Sequence, residues 1–214
     1  MNGVYRTTFS YGEDEVMINK SRFIGYSLPV NSEEEALDFV EMIKTKHKDA
    51  THNVYAYVVG ENSNIQRFND DGEPSGTAGI PVLEVIKKED LRNIVIVVTR
   101  YFGGIKLGGG GLIRAYTRAA KIGLDAGLVI DMTPHTNLLM NIDYTLYGRI
   151  ENYLLTNDYI VDEVLFDQDV SIYISVETLT LDSFKDDMTN LSNGTIEISE
   201  IGNNHLPLKD GKRL

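Results

Sequence analysis

The sequence predicts a two-domain α+β protein, and three observations carry that expectation. The apolar run Ile94–Thr99 leads through a glycine-rich turn into a helical pattern that continues to Ala126. After Asp131-Met-Thr-Pro-His135 the pattern restarts as a separate succession of short strands and helices. The charge balance also changes there: of a net charge of −12, the residues from Pro134 onward hold 14 acidic and 5 basic side chains. A chain of 214 residues can form one large domain or two small ones. The break places the domains at residues 1–133 and 134–214.

In the first domain, Arg22–Val30 reads as a strand. Ser32-Glu-Glu-Glu35 is a capping box, in which the Ser side chain caps a backbone N–H and Glu35 reaches back. Ala36, Leu37, Val40 and Ile43 put an apolar stripe on the helix that follows. Val54–Val59 is a strand bounded by Gly60, and residues 65–79 form a polar loop. Ile80–Lys88 is ambiguous by periodicity. A short helix is favoured, because Pro81 suits a first turn and Val82, Leu83 and Ile86 share a face. Gly127 stops the helix that begins at the glycines, and Leu128–Ile130 closes the sheet.

In the second domain, His135–Asp143 is a strand with Leu138, Met140 and Ile142 alternating, and Tyr144–Asn157 is a helix. Tyr159–Phe166 and Val170–Val176 form a hairpin turning at Asp167-Gln-Asp169. Leu181–Leu191 is a second helix, Thr195–Ile201 a last strand, and the tail after Gly202 is polar and loose. That order, βαββαβ, is the ferredoxin-like arrangement.

Composition narrows the function classes. Without cysteine the chain has no disulfide or thiolate metal site, which fits a reducing compartment. The N-terminus has no apolar signal region and no run approaches a membrane span, so the expected location is the cytoplasm, with no membrane partner. The overall acidity argues against a general nucleic-acid coat protein. Locally the balance inverts: Arg92, Arg100, Lys106, Arg114, Arg118 and Lys121 occur between Leu91 and Lys121 with no acidic residue among them. Such a strip would focus an anionic ligand.

The strongest motif is Arg100-Tyr-Phe-Gly-Gly-Ile-Lys-Leu-Gly-Gly-Gly-Gly-Leu-Ile-Arg-Ala-Tyr116. Glycine lets backbone approach a ligand, and a helix N-terminus offers free N–H groups and a partial positive charge. Gly108, Gly109, Gly110 and Gly111 would expose those groups, with Arg100 and Lys106 reaching phosphate oxygens and Arg114 and Arg118 extending the basic face. Tyr101 and Phe102 either stack on bases or pack, and packing is favoured for Phe102. No Gly-Lys-Ser/Thr follows the glycines, so this is not a Walker A loop, and the spacing is not that of the dinucleotide fingerprint.

A second motif, Arg67 to Gly79, holds Asp70, Asp71, Glu73, Ser75 and Thr77, which either line a cleft or build a structured turn. His52 either acts as a base oriented by that loop or is a hydrogen-bonded structural histidine, the latter being favoured. No nucleophile motif is present. No catalytic residue, metal site or cofactor is expected.

Four stretches together resemble the IMPACT family in its bacterial YigZ-like branch: Lys20-Ser-Arg-Phe-Ile24, Ala50-Thr-His-Asn53, Asp70–Gly79 and Arg100–Tyr116. The resemblance implies a ribosomal protein S5 domain 2-like fold for the first domain and a small ferredoxin-like second domain. That pairing is similar to the last two domains of elongation factor G. It implies contact with RNA or the ribosome and a role in regulating translation. Eukaryotic relatives act in translational control through an additional N-terminal RWD domain, for which 214 residues leave no room, so that partner is not expected here. The acidic second domain is expected to meet a basic protein. The competing expectation is an enzyme acting on a small phosphorylated or anionic substrate, with Mg²⁺ or a base supplied by Asp70, Asp71 and Glu73.

Overall fold

A computed structural model describes residues 3–60 and 62–214. The chain divides into two units, Tyr5–Asp131 and, in the main, Met132–Leu214.

The first unit holds β1 (Tyr5–Thr8), β2 (Gly12–Ile18), β3 (Ser21–Pro29), α1 (Glu33–Lys46), β4 (His52–Val59), β5 (Ile65–Asn69), α2 (Gly79–Lys88), β6 (Ile94–Tyr101) and α3 (Gly108–Ala126). Its main sheet runs β2-β3-β6-β4-β5, antiparallel at each of these pairings. The centre is β6, whose residues from Ile94 to Arg100 are all buried because helices cover both faces of the sheet. Alternation sorts its side chains. Ile94, Ile96 and Val98 pack with Val54 and Ala56 of β4 against Val82 and Ile86 of α2 and Leu112, Tyr116 and Leu124 of α3. Val95 and Val97 pack the other way, with Ile24 and Tyr26, against Ala36, Phe39, Val40 and Ile43 of α1.

The capping box at α1 forms with a shifted partner. Ser32 Oγ accepts from the Glu35 N–H at 3.1 Å, and the Glu35 carboxylate accepts from the Asn31 N–H at 2.7 Å. Leu37, expected on the buried stripe, is exposed, and Phe39 takes its place. The expected polar loop at residues 65–79 begins as edge strand β5, whose side chains are almost all exposed and so show no apolar alternation.

The second unit contains the greater part of β7 (Val129–Ile142), then α4 (Tyr144–Thr156), β8 (Ile160–Phe166), β9 (Val170–Glu177), a single 3-10 turn at Thr178–Thr180, α5 (Leu181–Leu191), β10 (Glu197–Lys209) and β11 (Lys212–Arg213). The sheet order is β11-β10-β7-β9-β8. Leu138, Met140 and Ile142 of β7 and Val170, Ile172, Ile174 and Val176 of β9 meet Ile150 and Leu154 of α4 and Phe184 and Met188 of α5. Two sequence expectations change. Strand β7 is continuous through Pro134, and the tail after Gly202 is ordered into β10 and β11.

Candidate functional site

Four segments of the first unit converge on one cleft of about 460 Å³: the start of β4, the 70–79 loop, the end of β6 and the first turn of α3. The sheet register supplies the floor. Phe23, Arg100 and His52 lie side by side across β3, β6 and β4. All three occupy the face that carries α3, because they share the parity of Val54, Ile96 and Val98.

The 70–79 loop is held by its own carboxylates. Asp70 accepts from the N–H groups of Gly76, Ala78 and Gly79 at 2.9, 3.2 and 2.7 Å, so it caps the start of α2 from a distance. The Asp71 carboxylate accepts from the Asn53 N–H at 2.6 Å, and its carbonyl is 2.7 Å from His52 Nδ1. Since a carbonyl only accepts, Nδ1 carries a proton. Thr77 Oγ1 donates to the Pro74 carbonyl, and Ser75 is exposed.

Glu73 enters the core. Its side chain is 4% exposed, and Oε1 accepts from Arg100 Nη1 at 2.5 Å and from the Tyr116 hydroxyl at 2.8 Å, with His52 Nε2 at 3.7 Å. Burial, together with the adjacent carboxylate, pushes the Tyr116 hydroxyl far above the ordinary tyrosine range, so it remains a donor. Each of the three carboxylates already serves the protein, and among the described residues no group of three His, Asp or Glu side chains is placed to hold a metal ion. Asp70→Ala removes three bonds to a charged acceptor and is expected to cost about 2 kcal/mol or more. Urea unfolding checks this, and a change below about 0.5 kcal/mol, the size of an ordinary surface substitution, would contradict it.

The turn from β6 to α3 is tethered at both ends. The Phe102 N–H donates to Thr51 Oγ1 at 2.9 Å and the Gly103 N–H to Ser21 Oγ at 3.2 Å. A Cβ on Gly103 would fall 1.9 Å from the Lys20 carbonyl oxygen, so the turn passes directly over the β2–β3 hairpin. Gly108–Gly111 form the first turn of α3, which no side chain caps. A Cβ on Gly109 would sit 3.9 Å from Thr77, so the loop and the glycine corner face each other. Arg114 Nη1 lies over Gly110, 3.6 Å from where a Cβ would be. Its side chain therefore runs back towards the helix N-terminus, the direction helical side chains favour.

The basic strip is smaller than the sequence suggests. Arg100 is 5% exposed and tied to Glu73, so it is an internal partner rather than a freely presented cation. Lys121 pairs with Glu89 and Asp125, and the Arg92 guanidinium lies 4.5 Å from the Tyr5 ring centroid. Lys106, Arg114 and Arg118 are exposed and, among the described residues, make no ion pair. Two expected site residues lie on the opposite face. Tyr101 follows Arg100 in the strand and so points towards α1, where its hydroxyl is 2.8 Å from His47 Nδ1. Arg67 is 3.8 Å from Glu33. Phe102, expected to pack, is instead 47% exposed and lines the cleft, with the Arg100 guanidinium 5.4 Å from its ring centroid. Sequence reasoning missed Tyr116, Leu107 and Leu112 as site residues. The helical period from Leu112 to Tyr116 is the signal that could have placed them on the face turned to the sheet.

Comparison with known proteins follows the same two parts. The Impact N-terminal domain matches residues 19–124, and a domain of unknown function, DUF1949, matches residues 140–195. The chain is 46% identical over 196 residues to the IMPACT family member YvyE of Bacillus subtilis (strain 168), covering 92% of this chain and 90% of that protein. It is 36% identical over 151 residues to the IMPACT family member YigZ of Escherichia coli (strain K12), covering 66% and 74%. A solved structure described as that of a hypothetical protein superposes with a TM-score of 0.59 at 29% identity, covering 94% of this chain and 99% of that one. The chain therefore belongs to the IMPACT family, in its bacterial YigZ-like branch.

Proposed function

We propose that this protein binds RNA on or near the ribosome through the cleft of its first unit and thereby modulates translation. The observation that carries the proposal is the cluster of three exposed cations, Lys106, Arg114 and Arg118, without acidic partners among the described residues. Lys106 precedes a helix opened by four glycines that no side chain caps, and Arg114 and Arg118 follow along that helix. Backbone N–H groups and unpaired cations at one corner suit phosphate. Membership of the IMPACT family gives the second support, through the translational role that the family resemblance implies. On this reading the first unit is S5 domain 2-like. The second is ferredoxin-like, in keeping with its βαββαβ order and the sequence β10-β7-β9-β8 across its sheet.

The second unit, with 14 acidic and 5 basic residues from Pro134 onward, repels a phosphate backbone and suits a basic ribosomal protein. No helix among the described residues is long and apolar enough to cross a membrane. A ribosome-associated role would place the protein in the cytoplasm.

RNA binding should weaken steeply as salt rises, because each neutralised phosphate releases counterions. Replacing Lys106, Arg114 or Arg118 with Ala should each reduce the slope of log K against log salt by about 0.7 to 1. Anisotropy titration over a salt series checks this. A flat salt dependence of the wild-type protein would overturn the proposal.

A further inference from the structure

The cleft has features that phosphate binding does not use, and they concern what sits next to the phosphate. Its wall is aromatic and apolar: Phe102 is nearly half exposed there, with Leu107, Leu112 and Pro74 beside it. The Arg100 guanidinium lies 5.4 Å from the ring centroids of both Phe102 and Phe23. The Phe102 backbone is fixed by the Thr51 bond, which holds the ring at the mouth. The floor bears an unused acceptor and an unused donor. The hydrogen bonds that the Glu73 side chain accepts all fall on Oε1, leaving Oε2 without one among the described residues, on a side chain 4% exposed. The donor Nε–H of Arg100 is likewise buried without a partner among the described residues, so the polar floor is left incomplete.

We infer that the cleft is a pocket for one unpaired, amino-bearing nucleobase of single-stranded RNA, stacked on Phe102 with its amino group donating to Glu73. This rests on the RNA reading above and makes it more specific. A cleft of about 460 Å³ has the scale of a small-ligand pocket and is too small for a duplex groove. Aromatic stacking accepts any base, because every base has a π face. The floor discriminates: the free carboxylate oxygen of Glu73 only accepts, which matches the exocyclic amino groups of cytosine, adenine and guanine. Uracil has no exocyclic amino group to offer the carboxylate, only a ring N–H flanked by two carbonyl oxygens. Lys106, at the rim, and the first turn of α3 then meet the flanking phosphate.

The test is fluorescence anisotropy of the intact protein with short labelled oligocytidine, oligoadenosine and oligouridine and with a blunt duplex. Wild type is compared with Phe102→Ala, Phe102→Tyr and Lys106→Ala, each checked for folding by circular dichroism. Oligocytidine and oligoadenosine should bind about tenfold or more tighter than oligouridine and the duplex. Phe102→Ala should weaken their binding by about tenfold, and Phe102→Tyr should restore it. Equal affinity for oligouridine, or wild-type affinity in Phe102→Ala, overturns the base pocket. If Lys106→Ala still weakens every RNA in that case, the RNA proposal survives without it. Absence of binding to any RNA overturns both. Cytidine monophosphate competing as strongly as the oligomer would keep the pocket and reassign its occupant to free nucleotide.

Discussion

Glu73→Ala is expected to lower the free energy of unfolding by about 3–5 kcal/mol, the range found when one member of a buried ion pair is removed. The substitution strands the Arg100 guanidinium, 5% exposed, in a site built to neutralise it. It also removes the acceptor of the Tyr116 hydroxyl, which burial and the neighbouring carboxylate hold protonated. Coupling spreads the damage, since Arg100 lies between Phe23 and His52 in the sheet and Tyr116 belongs to the buried face of α3. Replacing both charges at once should hurt less than replacing Glu73 alone, because the largest part of the cost is the unpaired partner. Urea denaturation of Glu73→Ala, Arg100→Met and the double variant measures this. A Glu73→Ala loss below about 1 kcal/mol would mean the pair is not buried and neutralised as described.

Gly123→Ala should destabilise by about 3 kcal/mol or more, the upper end of overpacking costs. The sign is the informative part, because Gly→Ala inside a helix ordinarily gains about 1 kcal/mol from propensity. Here a Cβ would fall 2.4 Å from the Gly25 carbonyl carbon and 2.7 Å from its oxygen. Both obstacles are backbone, so no side chain can rotate away. The reciprocal substitution, Gly25→Ala, meets the Ala119 carbonyl oxygen at 1.9 Å. Helix α3 therefore lies directly on β3, and that close seat sets the position of its glycine-rich first turn over the cleft. Thermal unfolding of Gly123→Ala decides the matter, and an unchanged or raised midpoint would contradict the close packing.

The elements most legible in the sequence are those whose pattern is local. The run Ile94–Thr99 had to be a central strand, and the capping box at Ser32 fixed the start of α1. The strands that escaped are edges or lie outside apolar alternation. Strand β2 is Gly-Glu-Asp-Glu-Val-Met-Ile and β5 is Ile-Gln-Arg-Phe-Asn, both edge strands with little apolar alternation, each paired to the strand next to it in the chain. At the site, the glycines and cations were visible as chemistry, but their orientation was not. Extending β6 by two residues beyond Thr99 forces Arg100 inward and Tyr101 to the opposite face, and no residue type announces where a strand stops. Arg100 looked unpaired because its partner, Glu73, lies on a different loop. Phe102 read as core because large aromatics usually are, whereas the chain leaves the sheet one residue earlier.

The central claim is that the unpaired cations at the α3 corner hold RNA of the translation machinery. Co-sedimentation with purified ribosomes over a salt series tests it most directly, comparing wild type with the Lys106→Ala/Arg114→Ala/Arg118→Ala variant. All three side chains are exposed, so the variant should fold as wild type does. The account predicts that the wild-type protein pellets with ribosomes at low salt, releases as salt rises, and that the variant stays in the supernatant throughout. Pelleting of the variant equal to that of wild type would contradict it.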